Sequence, residues 1–171
     1  MKYLTLIRHA QAQPHQKEDF LRKLDRKGEK EAQWLPLFLS RTLQHGNIPL
    51  IDKLIASSAT RTTETAKRVA YGLGFAIGAI QLEQSVYHAQ LHDLLTLLKA
   101  VPNRFQHVCL IGHNPTIEWF CKEMLWEKED KVQAQCFSTA SVAVIELEID
   151  HWEKSVLNLG ALIKFASPSV I

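Results

Sequence analysis

The sequence predicts an α/β fold: a three-layer sandwich with a mostly parallel central sheet, helices on both faces and a C-terminal antiparallel hairpin. Three observations carry this reading. The runs "YLTLI" (3–7), "LIASS" (54–58) and "VCLIG" (108–112) are short and continuously apolar, as strands buried on both faces are. Helical patterns fill the intervals between them. Near the end, "SVAVIELEI" (141–149) and "SVLNLGALIKF" (155–165) flank the turn-like "DHWEK".

Taken in chain order, the first strand stops abruptly at Arg8 and His9. From Gly28 to about Gln44, Ala32, Leu35, Phe38 and Leu39 share one side with charge opposite, which predicts a helix. A second helix follows "LIASS", from Ala59 to Tyr71, and a third is predicted from about Ala89 to Ala100 by the stripe Leu91, Leu94, Leu95 and Leu98. After "VCLIG" a helix starting at Pro115, with Asn114 as its N-cap, is expected to run toward Trp126. The hairpin closes the order, at a sheet edge.

With 171 residues the chain is long enough for a real core, and residues 1–171 read as a single domain. At 46% apolar and 22% charged, it has the composition of an ordinary globular protein, which argues against disorder and fibrous repeats. Lys and Arg number 20 against 18 Asp and Glu, and no basic run is long enough to grip nucleic acid, so no nucleic-acid partner is expected. The apolar run before Arg8 is too short for a signal core or a membrane span, so a cytoplasmic protein with no membrane partner is expected. The three cysteines, Cys109, Cys121 and Cys136, lack CxxC spacing and are expected to be reduced and buried. Trp34, Trp119 and Trp126 are assigned to core or interface.

In open α/β sheets ligands bind beyond the carboxyl ends of the strands. There this sequence puts Arg8 and His9, then Ser57 and Ser58 with Arg61, then Gly112, His113, Asn114 and Pro115. Two guanidiniums can fork onto phosphoryl oxygens, and a neutral imidazole is a nucleophile toward phosphorus. The set is suited to phosphoryl transfer. Gly112 would let backbone approach the phosphate closely. His88 and His92 have the spacing of helical metal ligands, but no Glu or Cys nearby completes a site. No metal and no cofactor are expected, since the two arginines supply the charge that Mg²⁺ brings to many kinases.

These motifs resemble the histidine phosphatase superfamily, in its phosphoglycerate mutase-like branch and among its small SixA-type phosphohistidine phosphatases. The opening Arg-His signature stands as "LIRHAQAQP". A Leu-Thr-x-x-Gly-x-x-x-Ala segment stands as "LDRKGEKEA" (24–32), with Asp25 in place of the usual Thr. Ser-x-x-x-Arg-x-x-x-Thr-Ala stands at residues 57–66, and Gly-His-Asn-Pro is unaltered at 112–115. The resemblance implies that His9 is the nucleophile that becomes phosphorylated, with Arg8, Arg61 and His113 around the phosphoryl group. His9 must then be neutral, His113 serves as a donor to the non-bridging oxygens, and their pKa values should be pushed apart. Gly112 and Asn114 are counted with the phosphate-binding set. Arg22 occupies a position the small phosphatases often fill with Arg and is an outer phosphate contact or a solvated flanking residue.

For the leaving-group proton the resemblance points after the third strand, where Glu83 stands in "QLEQSVYHA" and His88 occupies a position often filled by Glu or Asp. Glu83, His88 and no acid at all stand open, and a phosphoramidate needs less help than an ester because its leaving nitrogen is readily protonated. The expected activity is therefore that of a phosphatase acting on phosphohistidine in a protein or on a small phosphate ester. The alternatives are a phosphoglycerate mutase-type phosphotransferase, for which the segment between Glu83 and His113 looks too short, and a non-catalytic phosphate-binding module, which would need no nucleophile.

Overall fold

The computed structural model describes residues 1–14, 18–125 and 136–168. Six strands form one sheet in the order β3-β2-β4-β1-β5-β6. They are β1 (Lys2–Arg8), β2 (Lys53–Ser57), β3 (Gln81–Glu83), β4 (His107–Gly112), β5 (Val142–Leu147) and β6 (Gly160–Ala166). β1 to β4 pair in parallel, while β5 and β6 pair antiparallel and β6 forms the edge. The helices are α1 (Arg26–His45), α2 (Thr60–Leu73), α3 (Leu91–Lys99) and α4 (Thr116–Met124).

The strand period of two divides the core. Ile7, Leu54, Ala56, Cys109, Ile111 and Val144 pack with Leu35, Leu39 and Leu43 of α1 and Val69 of α2. Leu4, Leu6, Ile55, Val108, Leu110 and Ile145 pack on the other face with Leu94 and Leu98 of α3 and Ile117, Phe120 and Met124 of α4. Both faces are covered, as the continuous apolar runs require. The chain steps outward from β1 to β2 to β3 beneath α1 and α2, then returns through α3 to insert β4 between β2 and β1. That reversal brings the ends of β1, β2 and β4 side by side, where doubly wound sheets bind ligands.

Several expectations need correction. The Asn114–Pro115 peptide is cis, and Pro115 occupies the cap position of α4 with Thr116 as the first helical residue. Asn114 therefore does not cap the helix, and its side chain is used elsewhere. α4 ends at Met124 and Trp126 lies outside the described residues. The hairpin connection is longer than a tight turn and carries a 3₁₀ turn, Trp152–Lys154, with Trp152 buried. Cys109 and Cys121 are buried free thiols, Cys109 pushed above the usual thiol range by burial and Cys121 up to about 12 for the same reason. Cys136 is exposed, because it lies in the loop before Phe137 rather than in a strand or helix face. Trp34 stacks on Phe38 at 5.0 Å, whereas Trp119 is exposed on α4. Among the described residues, no helix is long and apolar enough to cross a membrane.

Candidate active site

The site begins where β1 ends. Arg8 is its last residue, and His9 N donates to Gly112 O at 3.0 Å, extending the β1–β4 pairing by one step. His9 is 9% exposed. Its Nδ1 lies 2.7 Å from Ala10 O, and a carbonyl can only accept, so Nδ1 carries the hydrogen and Nε2 keeps its lone pair. That lone pair faces Arg61, whose Nε donates to it at 3.2 Å. Burial first, then the charges of Arg61, Arg8 and Arg22, pull the His9 pKa down to about 4, against the opposing pull of the Ala10 contact. The imidazole is neutral at physiological pH.

Arg61 is the second residue of α2 and is 6% exposed. Thr65, one turn on, donates its hydroxyl to Arg61 O at 2.7 Å and accepts from Ala10 N at 3.1 Å. It ties the start of α2 to the chain leaving β1. Besides His9, Arg61 donates from Nη1 to Asp19 O at 2.7 Å and from Nη2 to Asp19 Oδ2 at 2.9 Å. Nη2 also lies 3.4 Å from His113 Nδ1.

His113 follows β4. A guanidinium only donates, so Nδ1 of His113 accepts and Nε2 carries the hydrogen, which points at Ser57 Oγ at 2.8 Å with Thr62 Oγ1 at 3.3 Å. The rings of His9 and His113 are 5.0 Å apart. Burial, His9 and Arg61 together lower the His113 pKa to about 3. The expectation that the two values are driven apart fails, because both rings are buried in the same cationic field and both are depressed.

Arg8 donates from Nη1 to Phe137 O at 2.6 Å, and its Nε is buried with no partner among the described residues. Asn114 Nδ2 donates to the same carbonyl at 3.0 Å and to Glu118 Oε2 at 3.1 Å. Asn114 thus braces the segment that holds Arg8. Its amide nitrogen, expected at a phosphate, is engaged by Phe137 O and Glu118 Oε2 in this structure. Gly112 has a packing reason to be glycine as well: a Cβ there would lie 2.9 Å from Ile117 Cγ1 and 3.4 Å from Val86 Cγ1.

Arg22 lies beside the cleft, donating from Nε to Gln13 O at 2.7 Å and from Nη1 to Asp19 Oδ1 at 2.8 Å. Glu83 ends β3 in register with Ser57, and its Oε1 accepts from Gln81 Nε2 at 2.6 Å. His88 is exposed, with its ring edge-on to Tyr87 at 4.2 Å, and Tyr87 in turn lies edge-on to His113 at 5.4 Å. A cavity of about 170 Å³ lined by Tyr87, His88, His113 and Thr116 adjoins the pair. His92 faces Thr96 at 3.5 Å, and no group of three metal-ligating side chains occurs among the described residues.

No family model and no curated protein matches the chain. Solved structures do. A protein from Agrobacterium tumefaciens assigned as the phosphohistidine phosphatase SixA shares 27% identity at a TM-score of 0.78, over 98% of this chain and 99% of that one. One from Nakamurella multipartitia with the same assignment matches at 22% identity and 0.80, over 98% and 96%. The protein histidine phosphatase SixA solved with tungstate matches at 18% identity and 0.76, over 96% of both chains. The chain has the histidine phosphatase fold, of the small SixA type. Each motif of that resemblance now has a physical account. Asp25 replaces the usual Thr as N-cap of α1, accepting from Gly28 N at 2.7 Å, and a Cβ on Gly28 would run into the Gln11 carbonyl.

Sequence reasoning missed Asp19 and Tyr87. Asp19 accepts from Arg61, Arg22 and Tyr87, the last at 2.7 Å, and these donors hold its carboxyl well below the usual range. Asp19 belongs to no strand end or quoted motif, and Tyr87, although it stands in "QLEQSVYHA", was passed over for Glu83 and His88 because nothing in spacing or periodicity marked it. Glu118 was missed for the same reason, although it braces Asn114 and Phe137 N.

Proposed function

We propose that the protein is a SixA-like phosphohistidine phosphatase that works through a phosphohistidine intermediate on His9. The observation that carries this reading is the tautomer of His9: Ala10 O holds the Nδ1 hydrogen, which leaves the Nε2 lone pair directed into a cleft of guanidiniums. The Nε2 lone pair forms a bond to phosphorus as the bond to the leaving group breaks and its electron pair departs with that group. Water then attacks the phosphorus, the P–N bond breaks back onto Nε2, and inorganic phosphate leaves.

Arg61 and Arg8 clamp the phosphoryl oxygens, with Arg22 at the outer edge. A dianion among these groups raises the proton affinity of His113, which then donates to the oxygens that gain charge in both steps. Charge compensation by three arginines makes a divalent ion unnecessary. The likeness to proteins assigned as SixA supports the substrate class, and the buried thiols of Cys109 and Cys121 suit a cytoplasmic setting. The test is hydrolysis of a phosphohistidine-containing phosphocarrier and of small phosphate esters in excess EDTA. Turnover of the phosphohistidine protein, undiminished by chelator, is expected; activity lost to EDTA and restored by a divalent ion would contradict the metal-independent reading.

A further inference from the structure

Asp19 is a charged side chain of the cleft to which the chemistry above gives no task. Its backbone and carboxylate take both Nη groups of Arg61, at 2.7 and 2.9 Å. The same carboxylate is also held from outside by Arg22 Nη1 at 2.8 Å and Tyr87 OH at 2.7 Å. Turning its Nη groups squarely onto a phosphoryl group would draw Arg61 off these bonds to Asp19. The two outer donors would keep the carboxylate at the mouth after Arg61 turns to the phosphate. Its side chain is 52% exposed, beside the guanidinium that donates to His9.

Charge then discriminates among leaving groups. Arg61 and Arg22 both bond Asp19, while Arg8 lies in the field of Glu118 and Glu31. A phosphoryl dianion is held by the guanidiniums, which leaves the Asp19 carboxylate to act on whatever is attached to it. A substrate with a further negative charge, or a leaving group that departs as an anion, places that charge beside the Asp19 carboxylate. An imidazole ring protonated on its second nitrogen places a cation there instead.

We infer that Asp19 selects the substrate by its leaving group, favouring a phosphorylated imidazolium over anionic esters; this rests on the phosphatase reading above. The carboxylate accepts a hydrogen bond from the N–H on the second ring nitrogen and so favours the protonated ring. As His9 Nε2 bonds to phosphorus, the P–N pair returns to the leaving nitrogen and a neutral imidazole departs with its proton already in place. No separate acid is needed, and the Glu83 carboxylate stays with Gln81.

The test compares kcat/KM for phosphohistidine and 4-nitrophenyl phosphate, with orthovanadate binding, in the wild type and in Asp19→Asn. The ratio of the two kcat/KM values should fall about tenfold or more, through loss on phosphohistidine with the ester unchanged or improved, and vanadate should bind more tightly because Arg61 is released. Asp19→Ser, which keeps an acceptor without the charge, should shift the ratio the same way. Equal losses on both substrates, weaker vanadate binding, or a wild-type ratio in Asp19→Ser would overturn the inference. A wild-type protein that turns over neither substrate would instead remove the phosphatase reading, and the selection with it.

Discussion

β4 carries a histidine at each end, His107 where the strand begins and His113 just beyond where it stops, and the two ends of the sheet use similar residues differently. At the amino end His107 is fully buried, with Nδ1 on Pro49 O at 2.7 Å and Nε2 accepting the Thr5 hydroxyl at 2.8 Å. Lys2, 2% exposed, donates to the carbonyls of Asn103 and Phe105. At the carboxyl end His9 shows the same signs: burial, a pKa near 4 and a carbonyl 2.7 Å from Nδ1. The His107 pKa is also about 4, led by burial. The depressed pKa therefore does not mark the nucleophile. What separates the two rings is the neighbour of the second nitrogen, a core hydroxyl for His107 and a guanidinium beside an open cleft for His9.

The contrast is broken most sharply at Arg61. Arg61→Ala should lower kcat/KM by about two to three decades, or on the order of 2–4 kcal/mol of transition-state stabilisation, whereas Lys67→Ala, exposed on the same helix, should do little. Steady-state kinetics on both variants decide this. Similar losses would mean diffuse electrostatics with no specific clamp.

At the other end the expected effect is on stability. His107→Gln leaves the Thr5 and Pro49 groups imperfectly paired and should cost on the order of 1–3 kcal/mol in denaturant unfolding, with the turnover of folded molecules unchanged. A loss of turnover at full stability would show the two ends to be coupled.

Acid sharpens the same comparison. The unfolded chain takes up protons on its histidines near 6.5, whereas His9 and His107 do so only near 4 and His113 near 3. Between those values the unfolded state binds more protons, so stability is full above about pH 6.5 and falls as pH drops toward 4. Denaturant midpoints at pH 7 and pH 5 should show the decline, and His107→Gln should lose part of it. A midpoint that is flat or rises toward acid would contradict the neutral assignment.

The smallest effect is expected at Glu83, bonded to Gln81 on β3. Glu83→Gln should change kcat/KM by less than about twofold on a phosphohistidine substrate. A loss of tenfold would restore it as the acid.

The alternation of apolar runs with helical stripes made the sheet and its helices legible, because burial on both faces leaves a pattern along the chain, whereas the reversal that inserts β4 between β2 and β1 leaves none. Arg8, His9, Arg61 and His113 were legible for a related reason: strand ends are sites in this architecture, and the four stand at three of them. Asp19 and Tyr87 reach the cleft from two short 3₁₀ turns, too brief for an apolar period to mark them along the chain. The packing roles of Asn114 and Gly112 were not legible, since the contacts that use them, with Phe137, Glu118 and Ile117, join segments distant in sequence or depend on how α4 packs.

The central claim is that His9 carries phosphorus between substrate and water. Labelled substrate quenched in alkali should leave phosphate on the protein in a form stable to base and labile to acid, as a phosphoramidate is and a phosphoserine is not. His113→Ala should slow both appearance and loss of this adduct, and His9→Ala should abolish it. An adduct that persists in His9→Ala, or full turnover in that variant, would contradict the account.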